Sequence, residues 1–328
     1  MVLKLRDHFV WDSWYVNDGE KYHAYFLKAP RSISDPELRH FNVSYGHATS
    51  TDLVNWDYLG ECFHPSVNGW DNYTTWTGSV IRGDDDLWHL YYTGTTKNDP
   101  QLAQRIGHAT STDLHNWERV GNGLILDLIG QNSHLYETDV SNDEWHDRAM
   151  RDPWVIRDPE GNGWLMYFTA RASGISEAND AGCIGFATSP DGYQWDLKPP
   201  VFTGGFGQLE VPQVFEKNDK WYCLFCTANI HFSKSEATMR PVVTGNHYLI
   251  GDSPHGPWQI APGFLDGTQP CTRYAARIVD TDKGMVILGF ADRPEGSTDF
   301  IGEIMDPDPV EITSDQYLYI NSRTRAAE

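Results

Sequence analysis

Tyr45-Gly46-His47-Ala48-Thr49-Ser50-Thr51-Asp52-Leu53, followed by Trp56, is the stretch that decides the fold, because it comes back. It recurs as Ile106-Gly107-His108-Ala109-Thr110-Ser111-Thr112-Asp113-Leu114 with Trp117. An altered copy is Ile184-Gly185-Phe186-Ala187-Thr188-Ser189-Pro190-Asp191-Gly192 with Trp195, and a fourth is Leu249-Ile250-Gly251-Asp252-Ser253-Pro254-His255-Gly256 with Trp258. Each copy reads as a strand, a turn rich in Ser, Thr, Asp, Pro or Gly, and a short strand carrying the tryptophan. Recurrence of one such unit marks a repeat architecture.

An aromatic hairpin strand precedes each of the four copies, and a fifth such strand follows the last copy. The instances are Tyr22 to Leu27, Leu87 to Thr93, Trp164 to Thr169, Trp221 to Phe225 and Met285 to Phe290. The turns before them, such as Asn17-Asp18-Gly19 and Asp158-Pro159-Glu160-Gly161, have residues that accept positive φ or bond their own backbone. Five hairpins, four with clear outer strands, predict an all-β chain. The expected architecture is a five-bladed β-propeller of four-stranded antiparallel blades around a central pocket, forming a single domain over residues 1–328 with no C-terminal β-sandwich. The outer part of the fifth blade, Phe300 to Met305 and Val310 to Ile312, carries the weakest signal. Gly121 to Ala149 and His231 to Gly245 read as loops over one face.

The innermost strands are expected to begin near Asp12, Thr77, Asp152, Glu210 and Tyr274. Inner strands of a propeller line its axis, so Asp12, Asp152 and Glu210 are expected at one equivalent position in their blades, sharing one pocket. Paired carboxyl groups are what glycosyl transfer needs, one as nucleophile or base and one as an acid of raised pKa. Asp152 adjoins Arg151, whose cation is expected to keep it ionised. Glu210 lies between Leu209 and Val211, an apolar setting expected to raise its pKa and make it the proton donor, with Asp12 as nucleophile. Asp18, in an Asn-Asp-Gly turn, lies at the wrong end of its strand.

A net charge of −21 argues against nucleic acid and anionic membrane as partners. No apolar run approaches the ~18 residues of a membrane span. The chain opens without a signal-peptide pattern. Five cysteines, Cys62, Cys183, Cys223, Cys226 and Cys271, fit a reducing compartment without disulfides, and a cytoplasmic location is expected. Cys223 and Cys226 lie within a strand-like run and would face opposite sides. His134, Glu137, His146 and His231 lack metal-ligand spacing, and neither a metal nor a cofactor is expected. His47 and His108, in the repeat, read as structural.

The site residues also carry a resemblance. Trp11-Asp12-Ser13-Trp14, followed by Tyr22-His23-Ala24-Tyr25-Phe26, resembles the nucleophile region of glycoside hydrolase family 68, the levansucrase-like enzymes. Trp76-Thr77-Gly78-Ser79 is similar to a motif shared by families 32 and 68, and Arg151-Asp152-Pro153 to the Arg-Asp-Pro motif of both. Glu210-Val211-Pro212 resembles the acid/base segment, and the repeat ending at Trp56 a family 32 blade. The resemblance implies a retaining enzyme for β-fructofuranosides such as sucrose or short fructo-oligosaccharides, hydrolytic or fructosyl-transferring. It implies Asp12 as nucleophile, Asp152 as transition-state stabiliser and Glu210 as acid/base, with Arg151, Trp11, Trp76 and Thr77 on the fructosyl ring. Gln208 stands where levansucrases usually carry an acid, and the Ala228-Asn229-Ile230-His231 stretch where they carry a base, so the leaving-group side departs from that pattern. Arg273 and Tyr274, at the start of the fifth inner strand, are expected to reach the pocket. Two other readings remain open: an inverting, family 43-like enzyme for arabinofuranosides or xylosides, and a non-catalytic sugar-binding propeller.

Overall fold

A computed structural model describes residues 2–99, 102–139, 148–161, 163–268, 273–293 and 299–321. Cys271 and His146 lie outside them. Blade 1 comprises β1 (His8–Asn17), β2 (Tyr22–Pro30), β3 (Ser44–Ser50) and β4 (Asp57–Phe63), paired in that order. Blade 2 comprises β5 (Thr74–Arg82), β6 (Trp88–Thr95), β7 (Arg105–Ser111) and β8 (Glu118–Leu126). Blade 3 is formed by β9 (Met150–Arg157), β10 (Trp164–Arg171), β11 (Gly182–Ser189) and β12 (Asp196–Thr203). In blade 4, β13 (Glu210–Lys217), β14 (Lys220–Thr227), β15 (Thr244–Gly251) and β16 (Trp258–Ile260) pair in turn, and β17 (Asp266–Thr268) adds to β15. Blade 5 has β18 (Arg273–Thr281), β19 (Gly284–Ala291), a short β20 (Glu303–Ile304), β21 (Asp308–Ile312) and β22 (Leu318–Ile320). Its outermost strand, β22, is absent from the sequence expectation: three residues of Leu-Tyr-Ile are too short to show an alternating pattern. The 231–245 segment contains one short helix, α1 (Lys234–Met239), capped by the Ser233 hydroxyl accepting from the Glu236 N–H.

The repeat has a physical reason. Asp52 accepts from the backbone N–H groups of Val54 and Asn55, and Asp113 and Asp191 do the same in their copies. That turn needs a left-handed residue, at φ 61° in Leu53, 64° in Leu114 and 79° in Gly192. The altered copy thus places glycine where the backbone wants it. Gly46, Gly107 and Gly185 leave space for the rings of Phe26, Tyr92 and Phe168, which lie where a Cβ would sit.

Blades 1 to 4 are each joined to the next by a tyrosine on the second strand. Tyr25 donates to the Leu114 carbonyl (2.5 Å), Tyr91 to Gly192 (2.8 Å), Tyr167 to Pro254 (3.0 Å) and Tyr222 to Gln316 (3.0 Å). Each reaches the turn before the last strand of the following blade. Blade 5 has Leu288 in register with Tyr25, Tyr91 and Tyr167, and the ring closes onto blade 1 differently. Leu3 bridges Ile304, the Val10 N–H donates to the Gly302 carbonyl, and Arg31 donates to the carbonyls of Ile301 and Gly302. His47 and His108 bond His23 and His89 across their blades, each at 2.9 Å, and these partners are held in turn by Asp18 and Asp85. The four described cysteines are free thiols. Among the described residues no helix is long and apolar enough to cross a membrane.

Tyr91→Phe removes the stitch to blade 3 and leaves the buried Gly192 carbonyl with Trp195 Nε1 (3.1 Å) as its remaining side-chain donor. We expect a loss of about 0.5–1.5 kcal/mol of stability, read as a lower urea midpoint at unchanged slope.

Candidate active site

The five inner strands share an irregularity that builds the site. In each, one extra residue interrupts the pairing with the second strand. It lies between Trp11 and Ser13 in β1, between Trp76 and Gly78 in β5, and between Arg151 and Trp154 in β9. The same break falls between Glu210 and Gln213 in β13 and between Tyr274 and Arg277 in β18. Such bulges re-aim side chains. Asp152, Val211 and Ala275 take left-handed backbones there, at φ 58°, 54° and 46°. For β-branched Val211 that conformation costs about 1–3 kcal/mol, which its surroundings must offset.

This register corrects one expectation. Asp12, Thr77 and Asp152 are the bulge residues, equivalent to Val211 and Ala275. Glu210 stands one position earlier, equivalent to Trp11, Trp76, Arg151 and Tyr274. The site is therefore two stacked rings, and the acids are divided between them. The bulges also fall inside β1, β5 and β9 rather than at their first residues.

The rings line a pocket of about 490 Å³. Thr77 donates a short hydrogen bond to Asp12 Oδ2. Asp152, 3% exposed, accepts from Thr169 Oγ1 (2.9 Å) and the Val211 N–H (3.1 Å), while its own N–H donates to Thr93 Oγ1 (2.8 Å). Arg151 Nη2 donates to Glu210 Oε1 (2.8 Å) and Gln208 Oε1 (2.6 Å), and Arg151 Nε lies 3.5 Å from Asp152 Oδ2. Tyr274 Oη donates to Glu210 Oε2 at 2.6 Å.

Electrostatics reverse the expected order of the acids. Burial, then the neighbouring Asp152 charge, pushes Asp12 up to about 7 against the pull of Thr77. Burial also raises Asp152, outweighing Arg151, with Glu210 adding to the rise. Burial pushes Glu210 upward too, but Arg151, His231 and Tyr274 together hold it below the ordinary glutamate value. The adjacent leucine and valine suggest an apolar setting, yet the carboxylate itself reaches a guanidinium and a phenol. In the free pocket Asp12 holds a proton more readily than Glu210.

Trp11, Asp12, Trp76, Thr77, Arg151, Asp152, Glu210 and Tyr274 all line this cavity. Gln208 and His231 are not in its wall; Gln208 is buried behind Arg151, and His231 acts on Glu210 through charge. Arg273 turns away to pair with Asp266 (2.9 Å) and with Asp308, locking β17 to blade 5. The wall also holds Arg39, His40, Gln104, Asp292 and Arg293, none of them apparent as site residues in the sequence. Arg39 lies over the Trp11 ring, 5.8 Å from its centroid. Burial keeps the His40 imidazole down at about 4, and the ring meets Trp11 and Trp76 edge-on. Asp35-Pro36-Glu37 is a helix-start signal that points to this segment. It opens the short 3₁₀ turn Pro36–Phe41, with Asp35 accepting from the Glu37 N–H.

The family model for the glycosyl hydrolases family 32 N-terminal domain matches residues 14–301. The chain belongs to glycoside hydrolase family 32. This family 32 chain is 25% identical over 352 residues to an extracellular sucrase of Zymomonas mobilis, covering 92% of the chain and 78% of that protein. Its fold is that of an inulosucrase from Halalkalicoccus jeotgali solved bound to kestose, with TM-score 0.77, 19% identity and coverage of 98% and 90%. Bacillus subtilis levansucrase gives TM-score 0.75 at 15% identity, with coverage of 97% and 87%. The chain is an enzyme of the glycoside hydrolase class.

Tyr274→Phe removes one of the donors holding Glu210 down, so the Glu210 carboxyl should titrate at higher pH. Carbon-13 NMR of labelled carboxyl groups, assigned with Glu210→Gln, reads the upward shift directly.

Proposed function

We propose that this family 32 enzyme cleaves β-fructofuranosides, sucrose or short fructo-oligosaccharides, with retention through a fructosyl-enzyme intermediate. One observation carries the proposal: Asp12, Asp152 and Glu210, from three blades, face one cavity beside Arg151 and the Trp11 and Trp76 rings. The sucrase, inulosucrase and levansucrase relatives support the substrate class.

In the proposed reaction the Asp12 carboxylate attacks the anomeric carbon as the glycosidic C–O bond breaks, and Glu210 gives its proton to the departing oxygen. Glu210 then takes a proton from water or a sugar hydroxyl, whose oxygen attacks the same carbon and releases Asp12. Asp152, bonded by Thr169 and the Val211 N–H, faces the developing positive charge. The working pocket holds one proton shared by Asp12 and Glu210. At rest it favours Asp12; a sugar that draws Arg151 and Tyr274 onto its own hydroxyls frees Glu210 to take it. The pair titrates as a unit, so the pH limits belong to both groups.

Three outcomes test this. Asp12→Ala should cut fructose release from sucrose by on the order of 10³-fold or more, and an unchanged rate would overturn the assignment. NMR of the first-formed anomer should show retention, matching a carboxyl separation of about 5–5.5 Å rather than the ~6.5–9.5 Å of inverting enzymes. The pH profile of kcat/KM should be bell-shaped. Activity falls at low pH as Glu210, below its ordinary value, also becomes protonated. It falls again as pH rises through about 7, where the last proton leaves Asp12.

A further inference from the structure

Arg277 lies three residues beyond Tyr274, just past the β18 bulge, and is 1% exposed. Its Nη1 donates to the Val211 carbonyl (3.0 Å) and the Pro212 carbonyl (2.6 Å). Its guanidinium lies over Trp154, 4.8 Å from the ring centroid. Nε and Nη2 are buried without a hydrogen-bond partner, and among the described residues Arg277 enters no ion pair. A buried cation with donors to spare is costly unless it meets a longer-range need.

Its surroundings supply the need. The carboxylates acting on it are Asp152 of β9 and Asp12 of β1, and the thiols of Cys226 and Cys223 of β14 lie within their reach. From β1, Tyr15 faces it, with its phenol bonded to Ser13. On its own strand Asp280 is taken by Lys217 at 2.7 Å, and from β13 Gln213 is spent on the Ile278 backbone. Burial pulls the guanidinium down to about 10, which leaves it charged at neutral pH.

The peptides it grips matter as much. Val211 is the left-handed bulge residue directly after Glu210, and its N–H donates to Asp152 Oδ2. One peptide segment therefore sets where two of the acids stand, and Arg277 fastens that segment from below.

We infer that Arg277 is a positioning residue of the site: it clamps the Val211-Pro212 bulge that presents Glu210 and holds Asp152, and it adds a buried positive charge near Asp12 and Asp152 to those of Arg39 and Arg151. This role presupposes the furanoside chemistry proposed above. A planar guanidinium spans two carbonyls, whereas lysine keeps the charge without the fork. The two functions therefore separate in Arg277→Lys and Arg277→Met.

The full-length variants are compared with the parent enzyme by kcat and KM on sucrose, the kcat/KM pH profile and carbon-13 carboxyl titration. Arg277→Met should lower kcat about tenfold or more at a KM within about twofold. It should move the alkaline limb and the Asp12 titration up by roughly half a pH unit or more, because a lost cation raises a carboxyl pKa. Arg277→Lys should lower kcat while leaving limb and titration in place. A folded Arg277→Met with unmoved limb and titrations overturns the counter-charge, and parental kcat in Arg277→Lys overturns the clamp. If Arg277→Met does not fold, Arg277→Lys still decides the clamp by its kcat, and Arg277→Gln, which removes the charge but keeps amide donors, takes the place of Arg277→Met for the limb and the titration. If the parent enzyme turns over no furanoside, the reaction proposal falls, and the carboxyl titrations still decide whether Arg277 governs these acids.

Discussion

Carboxylates buried side by side cannot all be anions unless something opposes their charge. Much of this propeller's centre answers that constraint. Arg151 bridges toward Glu210 and Asp152, Thr77 holds Asp12, and Thr169 and a backbone N–H hold Asp152. Where these donors fall short, a proton remains, and it settles on Asp12 because Arg151 and Tyr274 favour the anion at Glu210. The charge pattern of the pocket thus follows from which ring of side chains each acid occupies.

The blades were largely legible in the chain because their signals are local. Asp52, Asp113 and Asp191 each close a turn with their own following N–H groups, so spacing alone reveals them. The aromatic second strands show for the same reason: they are buried through most of their length. The outermost strand of blade 5 is too short to carry a pattern. Asp12, Thr77, Asp152 and Glu210 could be singled out because repeat and motif mark the inner strands. Their relative register could not, since a bulge is a property of strand pairing and leaves no mark on either strand alone.

The electrostatic misreading has the same origin. Leu209 and Val211 flank Glu210 in sequence but point elsewhere, and what sets its proton affinity comes from β9 and β18. Arg273 illustrates the reverse: placed beside Tyr274, it turns outward, because Asp266 and Asp308 offer two carboxylates there. Arg39, His40, Asp292 and Arg293 enter the cavity from segments between or beyond the regular strands, where no periodicity points to them.

Four of the five joints between blades carry a tyrosine stitched to the next blade's turn, and the joint between the last blade and the first does not. That seam is closed by Arg31, by main-chain contacts and by packed side chains, with Phe9 against Phe300 and Arg39 over the Phe300 ring. Four joints are thus fixed by a directional hydrogen bond and the fifth chiefly by the fit of packed side chains. Glu37, Arg39, Asp292 and Arg293 stand on that side of the cavity mouth. Side chains on that sector of the rim can therefore be exchanged to suit a different sugar while every tyrosine stitch between the blades stays in place.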